Sequence, residues 1–406
     1  MMANFIWMRS NMDLYHIGEN DKCIITVVNS GNLSSDFYEY AGDFYEAAEE
    51  VILYLLNEST NEKNISRLDS WYFPIVYLYR HSLELLLKAS VFQTLTVPSE
   101  EKEFIGEVRH DLKQSFDKLL ETQWLTIDGN QNAEWLSKYL SDISRLDKDS
   151  DMFRYPFGND LRELFVNQTH ISLLATYDNM KRAYEIIKGI YESGLFLDRD
   201  FKSLSPKLII EGGYYYQQSV VGYKRSKYSF YPYFSSYIEV GDFLKDTILT
   251  QEKSNFFMPM CYLYRNAIEL GLKRLIIEDS HFEISEALNK VRKKKHSILG
   301  LWNCIESELK KYDNTPDDDT TLADAKIYIQ AFRNFDSSSN LFRYPCDKDL
   351  VSYFLKPQKF DIENIALCFK ELCNFLDSAD TMLSNIKDYE YEMAAEMASY
   401  FDYYDF

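Results

Sequence analysis

A mainly α-helical chain, made of two tandem helical bundles packed as an internal pseudo-dimer, is the fold this sequence predicts. Three observations predict it. The segment Pro74 to Lys88 (PIVYLYRHSLELLLK) recurs without a gap as Pro259 to Lys273 (PMCYLYRNAIELGLK). A second landmark, Phe153-Arg154-Tyr155-Pro156, recurs as Phe342-Arg343-Tyr344-Pro345, each preceded by Asp and Ser (Asp147 and Ser150; Asp336 and Ser339) and followed by Asp-Leu (Asp160-Leu161; Asp349-Leu350). The spacing is also kept, with an offset of 185 from Arg80 to Arg265 and 189 from Arg154 to Arg343. One matched pair at one offset reads as a doubled unit, not a long solenoid.

Between the landmarks, His110 with Leu112 and Phe116 answers to His296 with Ile298 and Trp302, and upstream Gly42-Asp43-Phe44 answers to Gly241-Asp242-Phe243. At 406 residues the chain is longer than one core usually supports, so two domains of roughly 150 to 200 residues are expected. The divisions read as an N-terminal extension (1–35), a first helical repeat (36–195), a Tyr-rich connector (196–233), a second repeat (234–386) and an acidic aromatic tail (387–406).

Each repeat reads as four or five helices. In the first they fall near 36–57, 74–93, 110–121, 133–146 and 171–191. Pro74 and Pro259 sit where a helix begins, the place where a missing amide hydrogen costs little and a fixed φ helps. The helix after Pro74 is apolar on both sides, with Val76, Tyr79, Leu83, Leu87 and Val91 on one and Leu78 and Leu85 on the other, so it should be buried. Minor β structure is expected in the N-terminal segment at Cys23 to Asn29 and in the connector, where Leu208 to Tyr233 has room for a hairpin. The tail alternates acidic and aromatic residues, a composition suited to a mobile end or to docking, or in the plainer reading to a frayed amphipathic helix end.

A net charge of -20 opposes delocalised binding to nucleic acid, which needs clustered Lys and Arg. RNA at a local basic pocket stays open. The longest basic run, Lys290 to Lys295 before His296, reads first as a solvated helix face. The six cysteines have no CxxC pair, which points to reduced thiols in a cytoplasmic setting. Neither an export signal nor an apolar run of about 18 residues is present, so no membrane partner is expected.

Arg80, Glu84 and Lys88 recur as Arg265, Glu269 and Lys273, three charges in one row along an otherwise apolar helix. On an exposed face such a ladder is worth a few tenths of a kcal/mol per pair; buried, it demands specific partners. Arg154 and Arg343 are placed to reach Glu84 and Glu269 and lock the Phe-Arg-Tyr-Pro loop onto the helix. The alternative is a pocket of Arg80, His81, His110 and Arg154, in which guanidinium groups hold a phosphate and a histidine moves a proton. Its second copy would use Arg265, His296 and Arg343, with Asn266 in place of His81. There is no phosphate loop, HExxH, zinc spacing or GxSxG elbow, so no metal or cofactor is expected.

The buried helix YLYRHSLELLLK, the His-Asp-Leu segment at His110 and the following Phe-Arg-Tyr-Pro resemble HEPN-like helical proteins of bacteria and their defence islands. The resemblance covers most of both repeats and implies HEPN-like bundles that pair, here within one chain. Many members are metal-independent ribonucleases with an active site at the dimer interface. Their signature, Arg then four to six residues then His, is missing after Arg80 and Arg265; Arg292 and His296 are too close, and Arg162 and His170 too far apart. The expected function is therefore a protein-interaction or regulatory component of a prokaryotic defence or toxin-like system. Two alternatives stand beside it: a ribonuclease effector using Arg80, His110, Arg154, Arg265, His296 and Arg343 at the seam, and an acidic nucleic-acid mimic that binds a basic partner.

Overall fold

The computed structural model describes residues 6–158, 165–202, 204–222, 229–313, 316 and 318–404. The Asp160-Leu161 landmark, residues 223–228 of the connector and the last two residues of the tail lie outside the described residues.

The chain is mainly helical. Its first half runs β1 (Ile24–Val27), α1 (Leu33–Asn61), α2 (Tyr72–Phe92), α3 (Pro98–Val108), α4 (Leu112–Thr122), α5 (Gln131–Leu146), β2 (Thr169–Ser172) and α6 (Leu173–Ser193). The second half runs in the same order: β3 (Gln218–Val221), α7 (Tyr231–Gln251), α8 (Phe257–Arg274), α9 (Ile284–Lys294), α10 (Ile298–Lys311), α11 (Thr321–Phe335), β4 (Gln358–Asp361) and α12 (Ile362–Tyr404).

Every residue of α2 is buried, and in α8 only the last residue, Arg274, is not, as expected of helices that are apolar around most of their circumference. Pro74 and Pro259 are each the third residue of their helix, inside the first turn. Helices that start nearer the surface carry side-chain caps: Asn32 on α1, Asp111 on α4, Asn130 on α5, Ser172 on α6 and Ser297 on α10. Helix α2 packs on α1, α4 and α6; α8 packs on α7, α10 and α12; and the halves meet where α1 touches α8 and α2 touches α7. One apolar core runs through both halves. At the seam the rings of Tyr77 and Tyr262 stack 4.7 Å apart.

Strand pairing crosses the seam. β1, ahead of the first half's helices, pairs antiparallel with β4 in the second half, with Ile24 opposite Asp361. β3 pairs antiparallel with β2 in the first half, with Thr169 opposite Val221. Each half thus lends a strand to the other.

Two expectations change, and the tail keeps its helical reading. Helices α3 and α9 make six per half; α3 buries only Phe104 and Val108, so its apolar stripe is faint, although Pro98 and the acidic Glu100 and Glu101 mark its start. Among its described residues the connector forms no hairpin of its own and flanks β2 instead, with Ser172 N donating to Ile210 O (2.9 Å) and Gly212 N to His170 O (3.0 Å) on one side and β3 on the other. Gly222 ends that pairing at φ +75°, where a Cβ would come within 2.1 Å of the Asn167 carbonyl oxygen. The tail continues α12 as helix, giving it 43 residues and a length of roughly 65 Å. No helix among the described residues is long and apolar enough to cross a membrane.

Candidate functional site

Arg80, Glu84 and Lys88 lie on one face of α2 because four residues nearly complete a helical turn. All three are buried, so the ion-pair ladder is an interior one. Arg80 Nη1 meets Glu84 Oε2 at 2.6 Å and Lys88 Nζ meets Glu84 Oε1 at 2.7 Å. The remaining Arg80 nitrogens are also engaged: Nη2 donates to the carbonyl oxygens of His110 and Asp147, and Nε faces Asp147 Oδ2 at 3.3 Å. In α8, Arg265 meets Glu269 at 3.2 Å, Lys273 meets Glu269 at 2.7 Å, and Arg265 donates to His296 O at 2.7 Å while its Nε lies 3.7 Å from Asp336 Oδ2. An ion stripped of water costs several kcal/mol, and such surroundings are what offset that cost.

Each glutamate also holds a histidine. His110 Nδ1 lies 3.1 Å from Glu84 Oε1, and His296 Nδ1 lies 2.9 Å from Glu269 Oε1. Burial alone would raise the glutamates; Lys88, His110 and Arg80 hold Glu84 well below the usual carboxylate range, and Lys273, His296 and Arg265 do the same to Glu269. Burial pulls His110 below its ordinary value against the attraction of Glu84. Glu269 acts on His296 most strongly and upward, yet burial together with Arg154 and Lys273 leaves it lowered as well. A neutral imidazole beside a carboxylate carries its proton on Nδ1, which leaves Nε2 as a bare acceptor. Both side chains are about one-third exposed, 34% and 37%, and neither Nε2 is bonded to a described residue.

The last partner of each glutamate comes from the other half. Tyr344 donates its hydroxyl to Glu84 Oε1 at 2.7 Å, and Tyr155 donates to Glu269 Oε1 at 2.7 Å. The ammonium groups of Lys88 and Lys273 sit over those rings, at 5.0 and 3.9 Å from the centroids. The sites are therefore composite, and this corrects the grouping expected for Arg154 and Arg343. Neither arginine bonds a ladder glutamate, and neither joins the histidine of its own half. Arg154 bonds the Tyr155 hydroxyl at 2.8 Å and lies 4.9 Å from the centroid of that ring. Arg343 donates to Ser339 O (2.7 Å) and Asn340 Oδ1 (2.9 Å). His81 is separate again, fully buried with Nε2 2.9 Å from the Arg343 carbonyl oxygen, and Asn266 finds no partner for either amide atom.

The residue just before each exposed histidine is basic and held at positive φ: Arg109 at 47° and Lys295 at 52°. Such conformations cost about 1 to 3 kcal/mol and persist only where the surroundings impose them. Here each closes a helix, its amide donating to Ile105 O or Val291 O, and turns the chain so that the next side chain reaches the ladder glutamate. Beside His296 a small cleft opens to solvent between the first half's loop at Asp151 to Gly158 and the ends of α8 and α9.

Sequence reasoning put weight on the arginines and histidines. It missed Tyr155, Tyr344, Asp147 and Asp336 as working members, although all four lie in matched landmarks. Among the described residues no group of three or more His, Cys, Asp or Glu side chains is arranged to hold a metal ion. Compared with known proteins, the chain matches no family model, no curated protein and no solved structure.

Proposed function

We propose that this chain is a HEPN-like protein-interaction or regulatory component, of the defence or toxin-like kind that the resemblance implies, built from two diverged copies of one helical unit. In this reading the ladders are locks that join the copies, and the outer end of α12 is the contact element. The observation that carries it is the exposure of that end. Residues 388–399 are exposed throughout, including Tyr389, Tyr391, Met393 and Met397, whereas earlier turns of α12 pack on α8 and α7.

Residues 388–404 contain no Lys or Arg and carry Asp388, Glu390, Glu392, Glu396 and Asp402. Acidic groups at a helix C-terminus face the negative end of its dipole, an unfavourable placement offset at Glu390 alone among the described residues, which meets His281 at 2.8 Å. A basic protein surface would satisfy both the charge and the aromatic and Met side chains.

A ribonuclease is the second reading, favoured by the open Nε2 edges of His110 and His296. It has lost its phosphate clamp, because Arg80, Arg265, Arg154 and Arg343 are all buried and bonded within the protein. Two assays on the full chain separate the readings. Affinity capture should retain a basic protein at low salt, and release it at about 0.5 M salt and in a chain ending at residue 387. Cleavage of a mixed RNA pool that His110→Ala with His296→Ala abolishes would replace the interaction reading with the ribonuclease one.

A further inference from the structure

The cleft beside His296 lies against the Glu269 lock, which lends it Tyr155, Lys273 and His296, and is separate from the tail. Among the described residues, Lys273, Arg292 and Lys295 contribute cations to its lining, against the carboxylate of Asp151. In a chain of net charge -20, Arg292 and Lys295 form no ion pair with any described residue; Arg292 bonds only the neutral side chain of Asn289, at 3.1 Å. The strained backbone at Lys295 fixes the turn from which this cation and His296 project. Opposite them, Phe157 and Phe230 meet edge to face, 5.5 Å apart, and give the cleft an apolar wall.

The first half lacks the basic run. Where α9 ends in Arg292-Lys293-Lys294-Lys295, the matched stretch before His110 reads Gly106-Glu107-Val108-Arg109, and the neighbouring acid cancels the arginine. The basic run therefore distinguishes the halves and is not a shared feature of the repeated plan. A helix C-terminus favours cations, and Arg292, Lys293 and Lys294 all lie in the last turn of α9; what sets Arg292 and Lys295 apart is that they line the cleft, whereas Lys293 and Lys294 do not.

We propose that this cleft binds a phosphate group, free or carried on a small organic molecule, through Arg292 and Lys295, with His296 Nε2 at its edge and the Glu269-bound Lys273 behind them. Guanidinium and ammonium groups suit phosphate oxygens, and partial exclusion of water strengthens each contact. The bound dianion would draw a proton onto His296 Nε2 and turn that edge from acceptor to donor. The apolar wall would take a flat ring if the phosphate carries one. This site stands independently of the tail's role, so either can fail without the other.

The test is calorimetric titration of the full chain with inorganic phosphate and, separately, with adenosine monophosphate, alongside NMR of the histidine ring nitrogens. Both probes should bind, with a shift of His296 and none of His16. Arg292→Ala with Lys295→Ala should weaken binding about tenfold or more, whereas Lys293→Ala with Lys294→Ala, equal in charge and outside the cleft, should stay within about twofold. Tighter binding of the nucleotide would assign the ligand to the carried class, and equal binding to the free anion. Absence of heat and of any His296 shift at about 10 mM of either probe would overturn the proposal, as would equal losses in the two double variants.

Discussion

Tyr155, in the loop between α5 and β2, donates its hydroxyl to Glu269 of the second half at 2.7 Å, across 114 residues of chain. Tyr344 returns the bond to Glu84 at the same distance. A buried carboxylate has several acceptor positions to fill, and here the local helix and the histidine of the same half fill all but one. The exchange leaves neither ladder complete without the other half, and the crossed strand pairs β1–β4 and β2–β3 repeat that dependence at the periphery.

Removing a ladder glutamate strands four cationic or polar neighbours, for Glu269 the side chains of Arg265, Lys273, His296 and Tyr155. Glu269→Ala should cost about 3 to 5 kcal/mol in urea unfolding, the scale for breaking a buried ion pair from one side. Lys113→Ala, which breaks the surface pair with Asp117, should cost about 0.5 kcal/mol or less. Similar small losses for both would mean that the ladder contributes no more than surface charge.

The two exposed histidines have a signed pH effect. Their folded values are lowered, so between the folded value and about 6.5 the unfolded chain binds the extra proton, and their contribution to stability is lost as pH falls through that window. Compared with His110→Gln plus His296→Gln, the native chain should therefore lose relative melting temperature between pH 7 and pH 5. A constant difference across that range would contradict the assignment of neutral imidazoles.

Asp279 has the opposite sign. Burial, with Asp380 beside it, pushes its carboxyl up to about 9, so the folded state keeps a proton that the unfolded state gives up. That stability is present below the ordinary Asp value and is lost as pH rises through about 9. Asp279→Asn should gain on the native chain progressively from pH 6 to pH 9, read as a melting-temperature difference that widens with pH. A difference that narrows would refute the shared-proton contact.

Asn266 stands where the first half has His81, fully buried and with both amide atoms unpartnered among the described residues. An unsatisfied polar group costs about 1 to 3 kcal/mol, so Asn266→Leu, close in volume, should raise stability by about 1 to 2 kcal/mol in the same urea assay. Destabilisation would show that the amide has a partner, such as an enclosed water.

Much of the fold was legible because its strongest signals are local. The apolar circumference of α2 and α8, the proline in the first turn and the two matched landmarks need only a short window of sequence. Helix α3 buries too few residues to print a stripe, and the connector's strand finds its partner in β2, a pairing that no local pattern encodes. For the site, periodicity placed Arg80, Glu84 and Lys88 in a row and the repeated histidines named themselves. Which half each loop serves was not legible, since Tyr155 and Tyr344 act through space on a glutamate more than 100 residues away. The arginine beside each tyrosine drew attention by its charge, whereas the hydroxyl makes the contact.

The most direct test of the interlocked halves is a double-mutant cycle of Tyr155→Phe and Glu269→Gln, followed by urea unfolding. Two groups that meet in the folded protein should couple by about 0.5 to 3 kcal/mol, and unfolding should stay a single transition in the native chain. Coupling below about 0.3 kcal/mol, or separate unfolding of the two halves, would contradict the interlock.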